Sequence, residues 1–328
     1  MRALVVGVDA GGTSTRVGVG RRDGSLLAVV AGPGANPNAV GLRPAAHRIG
    51  ELVRSALAQA DVAAIDVSAL TIAMAGASRV AGSTIDLAAV RRDVAPAGLG
   101  AVPEVVLDVA GAFSAGSPAD AGPVLVAGTG SIAAEVVRGQ VRRRAGGWGW
   151  LLGDEGGGFW LGREAVRHAL RAPDDHGPLA TAVRQAYGAD DGADLLAAAY
   201  AAEPHRLARL GAVVAASAAD DPAAAELVEQ AATHLVALVD QLRCSPTAGD
   251  ASPGLPPGLQ PIVLAGSVLT SDGPVGRRVR ALLAAVGRPT STAGPAVVGP
   301  VWLAARSLGP LDPEIHRRFR AAAGVGAA

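Results

Sequence analysis

Two glycine-rich hairpins, about 120 residues apart, most constrain how this chain of 328 residues can fold. The first is predicted over Val5–Val19, where a strand, the turn Gly11-Gly12-Thr13 and a second strand follow one another. The second is predicted over Leu125–Val137, where Gly128-Thr129-Gly130-Ser131 joins two further strands. Such a recurrence indicates two similar half-domains, although chance hairpins produce weak echoes of this kind.

Apolar patterns in the rest of the chain predict an α/β protein. Short apolar runs predict strands at Ala69–Ala75, Glu104–Leu107 and Ile262–Ala265. From Gly158 the apolar spacing becomes helical and predicts a series of helices that ends at Arg243. The proline-rich segment 245–261 predicts a loop. Strands mixed with helices in this way are typical of the α/β class.

Charge and residue usage exclude several functions. The 29 basic and 29 acidic residues balance, so the chain lacks the basic excess of a nucleic-acid or membrane-surface binder. Every basic residue is arginine, which excludes Walker A, protein-kinase and Schiff-base lysine chemistry. The one cysteine, Cys244, excludes an intramolecular disulfide and a four-cysteine metal site within one chain. Without a signal peptide or an apolar span of ~20 residues, we expect a cytoplasmic protein with no membrane partner.

The first hairpin carries residues suited to a nucleotide and Mg²⁺. Asp9 ends the first strand, and Gly11, Gly12, Thr13, Ser14 and Thr15 follow it. Glycine allows backbone N–H groups to approach phosphate oxygens, and the hydroxyl groups add donors. Asp9 is expected to hold Mg²⁺ through water, since magnesium prefers one or two carboxylates and several waters. The alternative is a tight hairpin without a ligand, in which the glycine residues are needed only because the turn requires a positive φ.

The second hairpin offers the same chemistry from another part of the chain. Gly128, Thr129 and Gly130 follow a buried strand and could clamp the β- and γ-phosphates of ATP. Alone this turn is weak evidence for a nucleotide site. The evidence is stronger because the turn follows the first glycine-rich hairpin in the chain.

This combination resembles the sugar kinase/hsp70/actin superfamily, and within it the N-acetylglucosamine kinase group of the BadF/BadG/BcrA/BcrD ATPase family. The Gly-Trp-Gly and Gly-Asp-Glu-Gly block is the most specific part, whereas the phosphate loops are shared across the superfamily. The segments that carry the resemblance occur in the family's order: Gly7–Arg16, Gly34–Asn38, Leu107–Ala112, Ala127–Ser131, Gly146–Gly149, Gly153–Gly157 and Leu264–Val268.

The resemblance implies two actin-like (ribonuclease H-like) domains around a central cleft. The N-terminal domain is expected over residues 1–121, with the C-terminal helix of residues 309–328 packing back on it. The second domain is expected over residues 122–308 and carries a helical insertion at 158–243.

The activity implied is ATP-dependent phosphorylation of the 6-hydroxyl of N-acetylglucosamine, which gives the 6-phosphate and ADP. Asp108 matches the general base, and Gly266 and Ser267 match the turn beside adenosine. The sugar-binding residues implied are Asn36, Asp108, Ser131, Gly147, Trp148, Gly149 and Asp154. The cofactors implied are ATP and Mg²⁺, and a homodimer is the expected assembly.

Each of these side chains also has an ordinary structural interpretation. Asp108 could be a helix N-cap, and Asp154 could cap the helix that follows it. Asn36 could be a turn residue in its Gly/Pro-rich loop, and Trp148 could be a core residue.

Ile132 departs from the family pattern, because the animal enzymes carry a sugar-contacting Asn there. Glucosamine kinase is therefore an alternative, with Asp154 or Glu155 as partner of the ammonium group. A dehydratase-activating ATPase is more remote, since its bridging [4Fe–4S] cluster takes two thiolates from each subunit. A sugar sensor is also remote, because no helix-turn-helix precedes the first hairpin.

Overall fold

The computed structural model describes residues 3–76, 94, 98–244 and 260–325. Most of the predicted loop, residues 245–259, lies outside the described residues. In the described residues the strands are β1 Leu4–Ala10, β2 Ser14–Arg21, β3 Leu26–Pro33, β4 Val67–Met74, β5 Glu104–Leu107, β6 Ala121–Ala127, β7 Ser131–Val137, β8 Gln140–Gly146, β9 Ile262–Ala265 and β10 Thr290–Thr292.

The helices of the described residues are α1 Pro37–Val40, α2 Leu42–Gln59, α3 Asp108–Gly116, α4 Gly158–Arg171, α5 Pro178–Tyr187, α6 Gly192–Ala201, α7 Arg206–Ser217, α8 Pro222–Cys244, α9 Ser267–Thr270, α10 Pro274–Ala285, α11 Val298–Ser307 and α12 Pro313–Val325.

The chain divides into two compact units. Unit 1 comprises Met1–Gly122, Val136–Val141 and Ala293–Ala328, and unit 2 comprises Pro123–Glu135 and Arg142–Thr292. Each unit contains a five-stranded sheet with helices, so the predicted α/β class is confirmed.

The sheet of unit 1 has the strand order β3-β2-β1-β4-β5. β1, β2 and β3 are joined by antiparallel pairing, whereas β1, β4 and β5 are parallel. The carboxyl ends of the three parallel strands therefore meet at one edge of the sheet. Asp9 and Asp108 both lie at this edge.

Alternation along β1 determines which helices cover each face of this sheet. Val6 and Val8 are buried in the cluster that contains Ile49 and Val53 of α2. Val5 belongs instead to a cluster with residues of α11 and α12 on the opposite face. Asp9 lies four residues after Val5 in the same strand, so its side chain is on the same face of the sheet as Val5, the face on which α11 packs.

The absence of a side chain at Gly7 allows α11 to contact β1 directly. A Cβ on Gly7 would overlap the backbone of Val301, and one on Gly299 would overlap the carbonyl of Gly111 in α3. α11 is therefore packed into unit 1, whereas the family resemblance implies a second domain over residues 122–308. α12 packs beside α11, and its Phe319 is completely buried.

The sheet of unit 2 has the order β10-β9-β6-β7-β8, and β9 is parallel to both β6 and β10. The five helices α4–α8 occupy residues 158–244, where the sequence predicts a helical series. Their apolar residues form one buried cluster with the sheet, in which Leu125, Leu161 and Leu235 are completely or almost completely buried.

The sequence prediction does not contain the helix α3 or the three short elements α1, α9 and β10. Each of the three short elements has three or four residues, which is too few to establish a period. α1 forms because the side chain of Asn36 accepts the N–H of Asn38 and Pro37 occupies the first turn.

Candidate functional site

Two carboxylates lie at the carboxyl edge of the parallel strands in unit 1. Asp9 is the penultimate residue of β1, and Asp108 follows the last residue of β5 directly. Asp9 is level with Ala73 of β4, which is level with Val106 of β5. Asp108 therefore begins α3 two residues beyond the level of Asp9, with one strand between them.

The charge of Asp108 affects the pKa of Asp9. Burial raises the pKa of Asp9 from 3.8 to about 6, the nearby Arg16 opposes this rise, and the negative charge of Asp108 adds to it. The Arg16 guanidinium lies 3.9 Å from Asp9 Oδ2. Two carboxyl groups thus share this edge with one arginine.

Asp108 remains open to solvent although protein atoms surround its carboxylate. Burial raises its pKa, and the N–H of Val109, which donates to Asp108 Oδ1 at 2.9 Å, opposes the rise. The N-cap residue of α3 is Leu107, so Asp108 is the first helical residue and not the cap. A carboxylate at this position is stabilised by the N-terminal end of the helix dipole.

The donor set fits a magnesium ion held through water. Asp9 is a partly buried carboxylate whose pKa is raised mainly by burial and also by the charge of Asp108, and a divalent cation would stabilise its charged form. The structure has no group of three or more His, Cys, Asp or Glu side chains that could hold a metal within its described residues. Magnesium keeps most of its waters and takes one or two carboxylates, as Asp9 would provide.

The tip of the first hairpin offers backbone donors. The N–H of Gly11 donates to Ser14 O at 3.1 Å, and the carbonyl of Gly11 accepts the N–H of Ala35 at 3.0 Å. Gly12 and Thr13 are exposed, and their N–H groups have no partner in the described part of the chain. These two groups can therefore donate to an anion.

The three residues after Thr13 have different environments. Ser14 Oγ accepts a hydrogen bond from Arg16 at 2.9 Å. Thr15 is completely buried, and its hydroxyl has no hydrogen-bond partner in the structure. Thr15 lies two residues before the buried Val17, so both side chains are on the same face of β2, whereas the side chain of Arg16 is exposed. Arg16 was not among the predicted site residues, although it is the cation of the hairpin tip.

Asn36 lies close to this hairpin. Its Oδ1 accepts the N–H of Asn38 at 2.9 Å, and its amide NH₂ has no hydrogen-bond partner among the described residues. The amide nitrogen is 4.0 Å from the position that a Cβ on Gly12 would occupy, and Asn36 Oδ1 is 2.8 Å from the corresponding position on Gly76. Asn36 thus has the turn role considered above, and it also keeps a donor beside the hairpin.

In unit 2 the structure brings Gly128, Thr129 and Gly130 together with Gly266 and Ser267. A Cβ on Gly128 would lie 3.9 Å from both Gly266 Cα and Ser267 N. Gly266 has a φ of 84° and precedes α9, in a conformation that favours glycine. The N–H groups of Thr129 and Gly130 have no partner among the residues described, so they too can donate to an anion.

Ser131 connects the remaining predicted residues of unit 2. Its N–H donates to Asp154 Oδ1 at 3.2 Å, and its hydroxyl donates to the carbonyl of Glu155 at 2.8 Å. Its carbonyl accepts the N–H of Gly147 at 3.0 Å. These bonds gather Ser131, Gly147 and Asp154 at the start of β7.

Asp154 is mostly buried, with 9% of its surface exposed, and burial raises its pKa. The N–H of Ser131 opposes this rise, and the charge of Glu155 adds to it. The N-cap of α4 is Gly157 without a side-chain cap, so Asp154 does not cap that helix through its carboxylate.

The loop after β8 exposes apolar side chains beside this cluster. Trp148 is 63% exposed, so it is not a core residue. Trp150 stacks on Phe159 with 5.1 Å between ring centroids. Ile132, the residue that departs from the family pattern, lies against Gly147, since a Cβ there would lie 2.7 Å from Ile132 Cδ1.

The predicted site residues therefore form one group in each unit. Unit 1 holds Asp9, the hairpin residues 11–15, Asn36 and Asp108. Unit 2 holds residues 128–131, 147–149, Asp154 and the pair 266–267.

In the described part of the chain, no helix is both long enough and apolar enough to cross a membrane.

Comparison with known proteins identifies the relatives of this chain. Residues 6–287 match the BadF/BadG/BcrA/BcrD ATPase family. The chain is 31% identical over 176 residues to the N-acetylmuramic acid/N-acetylglucosamine kinase of Clostridium acetobutylicum, which covers 53% of this chain and 55% of that protein. It is 30% identical over 185 residues to the N-acetyl-D-glucosamine kinase of Dictyostelium discoideum, which covers 54% and 57%. The matches thus span about half the length of these curated relatives.

A solved structure from Chromobacterium violaceum, provisionally named an N-acetylglucosamine kinase, has the same fold over most of its length. The two superpose with a TM-score of 0.73 at 26% identity, covering 92% of this chain and 99% of the other.

Proposed function

The chain belongs to the BadF/BadG/BcrA/BcrD ATPase family, and we propose that it is an ATP-dependent kinase of N-acetylglucosamine. It transfers the γ-phosphoryl group of ATP to the 6-hydroxyl of the sugar and releases the 6-phosphate and ADP. The curated relatives named above carry this activity in their names.

The observation that carries the proposal is the pair Asp9 and Asp108 at one edge of the unit 1 sheet. Asp108 is accessible, and its pKa is raised by burial, so its carboxylate is a stronger base than an ordinary aspartate. In this role Asp108 orients the 6-hydroxyl and takes its proton as the oxygen attacks phosphorus. Asp9 lies near enough for the charge of Asp108 to raise its pKa, but on the strand that leads into the hairpin.

The nucleotide would be held mainly by backbone donors. The unpaired N–H groups of Gly12 and Thr13, and those of Thr129 and Gly130, suit phosphate oxygens. Arg16 supplies a positive charge in a chain without lysine. A bound Mg²⁺, held through water by Asp9, would supply further charge neutralisation. Gly266 and Ser267, beside Gly128, are the proposed contact of adenosine. For Thr15 the proposal is limited to its backbone, because its hydroxyl is buried.

The sugar would be held by a polar set and an apolar surface. Asn36 offers its free amide NH₂, and Ser131, Gly147, Gly149 and Asp154 surround the start of β7. Trp148 offers an exposed ring to the apolar face of a pyranose.

The environment of Gly147 favours the N-acetyl sugar over glucosamine. Ile132 packs against Gly147 and gives an acetyl methyl group an apolar contact. Asp154, the alternative partner for the ammonium group of glucosamine, is buried and already accepts the Ser131 N–H. A buried carboxylate with a raised pKa is a weaker partner for a cation than an exposed one.

A coupled ADP-release assay with MgATP tests the substrate. The panel is N-acetylglucosamine, glucosamine, N-acetylmannosamine, glucose and no sugar. We expect turnover with N-acetylglucosamine well above all others. A preference for glucosamine would overturn the acetyl assignment, and no sugar-stimulated turnover at all would overturn the kinase.

The general base is tested by Asp108→Asn, with Asp66→Asn as the matched control because Asp66 is exposed in the turn Ala64–Asp66. Loss of a positioned base should lower kcat by ~10²–10⁴. Nucleotide binding should change little. Near-normal turnover in Asp108→Asn would refute the assignment.

Magnesium dependence, a homodimer and a cytoplasmic location complete the proposal and rest on the family resemblance. Light scattering of the native protein tests the homodimer, and EDTA titration of the assay tests the magnesium requirement.

A further inference from the structure

A second concave site lies within unit 1, away from the carboxylate pair. It is a cavity of about 300 Å³ between β5, α3, α11 and the turn that joins β7 to β8. Glu104, the first residue of β5, lies in its wall, whereas Asp108 follows the last residue of β5. At about 3.3 Å per residue, the two positions are ~13 Å apart along the strand. The cavity is therefore separate from the proposed catalytic edge.

The base of the cavity is apolar and rigid. Phe113 and Trp302 are among the largest fully buried side chains, so they hold the wall in place from behind, and the partly exposed Leu303 contributes apolar surface to the lining. His316 packs edge-on against Trp302 and bonds the carbonyl of Ser114 at 2.7 Å, which holds this part of the wall in place. An apolar ligand group would thus meet a preformed surface.

Arg306 is held in position at one wall. It forms an ion pair with Asp120 and donates to the carbonyl of Pro118 at 3.2 Å. Its guanidinium also lies over Trp302, 5.7 Å from the ring centroid. A guanidinium fixed by three contacts can accept a ligand with little further loss of conformational entropy.

Two opposite charges of the lining are unpaired. Neither Glu104 nor the Arg138 guanidinium has an ion-pair or hydrogen-bond partner in the part of the chain that the structure describes. The backbone of Arg138 is nevertheless fixed, because its N–H donates to Asp120 O at 2.6 Å. The cavity therefore presents one free anion and one free cation above an apolar base.

We propose that this cavity binds a small zwitterion of the α-amino-acid type, with its ammonium group at Glu104, its carboxylate at Arg138 and its apolar side chain towards Leu303. The lining has two acids and two arginines, so it is neutral overall and does not favour a phosphate dianion. A volume of about 300 Å³ is at the small end of ligand sites, which suits a small ligand of this kind.

Direct binding tests this proposal and needs no turnover, so its result is independent of the kinase assignment. The probes are L-leucine, L-methionine and L-phenylalanine, each titrated to 10 mM into the wild-type protein by calorimetry and by thermal shift. Acetate and n-butylamine serve as half-ligands, because each offers only one of the two charges. We expect saturable binding of at least one amino acid and weaker binding of both half-ligands.

Three variants locate the site. Glu104→Gln and Arg138→Gln each remove one charge-assisted contact, so each should weaken binding by about 10- to 100-fold. Ala119→Phe places a ring in the cavity and should abolish binding, while the circular dichroism spectrum reports whether the fold is kept. Glu203→Gln is the matched control, because Glu203 is exposed in unit 2.

The outcomes separate the possibilities. Saturable binding that is lost in Glu104→Gln and Arg138→Gln but kept in Glu203→Gln supports the site. No binding of the three amino acids at 10 mM overturns it. Binding that survives Ala119→Phe in a folded protein also overturns it, because the ligand would then occupy another place.

Discussion

The negative charge of Asp9 is expected to lower the free energy of unfolding of this protein. Burial and the charge of Asp108 raise the pKa of Asp9 from 3.8 to about 6, and only Arg16 opposes them. In the unfolded chain Asp9 has its ordinary pKa, so the folded state binds more protons between these two values. The free energy of unfolding therefore falls as pH rises through this range.

The size of the effect follows from the shift. About two pKa units correspond to roughly 3 kcal/mol, at ~1.4 kcal/mol per unit. Asp9→Asn removes the charge and keeps the shape of the side chain. We therefore expect Asp9→Asn to raise the free energy of unfolding by up to roughly 3 kcal/mol at pH 7.5, and by little at pH 4.

Urea denaturation of both proteins at pH 7.5, 5.5 and 4 measures this difference, and Asp66→Asn controls for loss of a surface charge. The same Asp9→Asn variant should lose most phosphorylation activity. A variant that is equally stable or less stable than the wild type at pH 7.5 would refute the electrostatic reasoning, whatever its activity.

Three further predictions follow from the packing. Gly299→Ala should destabilise unit 1 by several kcal/mol, because the new methyl group overlaps the carbonyl of Gly111, and thermal unfolding measures the loss. Burial lowers the pKa of His316, so its contribution to stability should disappear as pH falls below about 6.5, and His316→Phe should remove this pH dependence from the melting temperature. Trp148→Ala should raise KM for the sugar with almost no change in melting temperature, since Trp148 is 63% exposed; an unchanged KM would remove it from the site.

The sequence predicts the local features of this fold well. The two hairpins, the strand that ends before Asp108 and the helical series after Gly158 each depend on residues that are neighbours in the chain. The position of α11 could not be predicted in this way. Its place in unit 1 depends on Gly7 and Gly299 allowing close contact between distant segments, and no local pattern records that.

In the candidate site, too, some features could be predicted from local sequence and others could not. Alternation along β2 could have indicated that Thr15 points inward with Val17 and that Arg16 points outward. The Gly-Gly-Thr pattern instead predicts that the hydroxyl groups of Thr13 and Thr15 contact the phosphates. The bond from Asn38 N to Asn36 could also not be predicted, because it depends on a helix of only four residues.

The absence of lysine makes the arrangement around Asp9 informative. Phosphoryl transfer needs the negative charge of the nucleotide to be neutralised, yet the hairpin tip offers one arginine beside two carboxylates. Arg16 alone does not offset both carboxylates, so this edge favours a cation in addition to the nucleotide. Backbone N–H groups at Gly12 and Thr13 then contact the phosphates without adding a side-chain charge. Burial is the main cause of the raised pKa of Asp9 and the negative charge of Asp108 adds to it, so a cation bound at this edge is expected to lower that pKa.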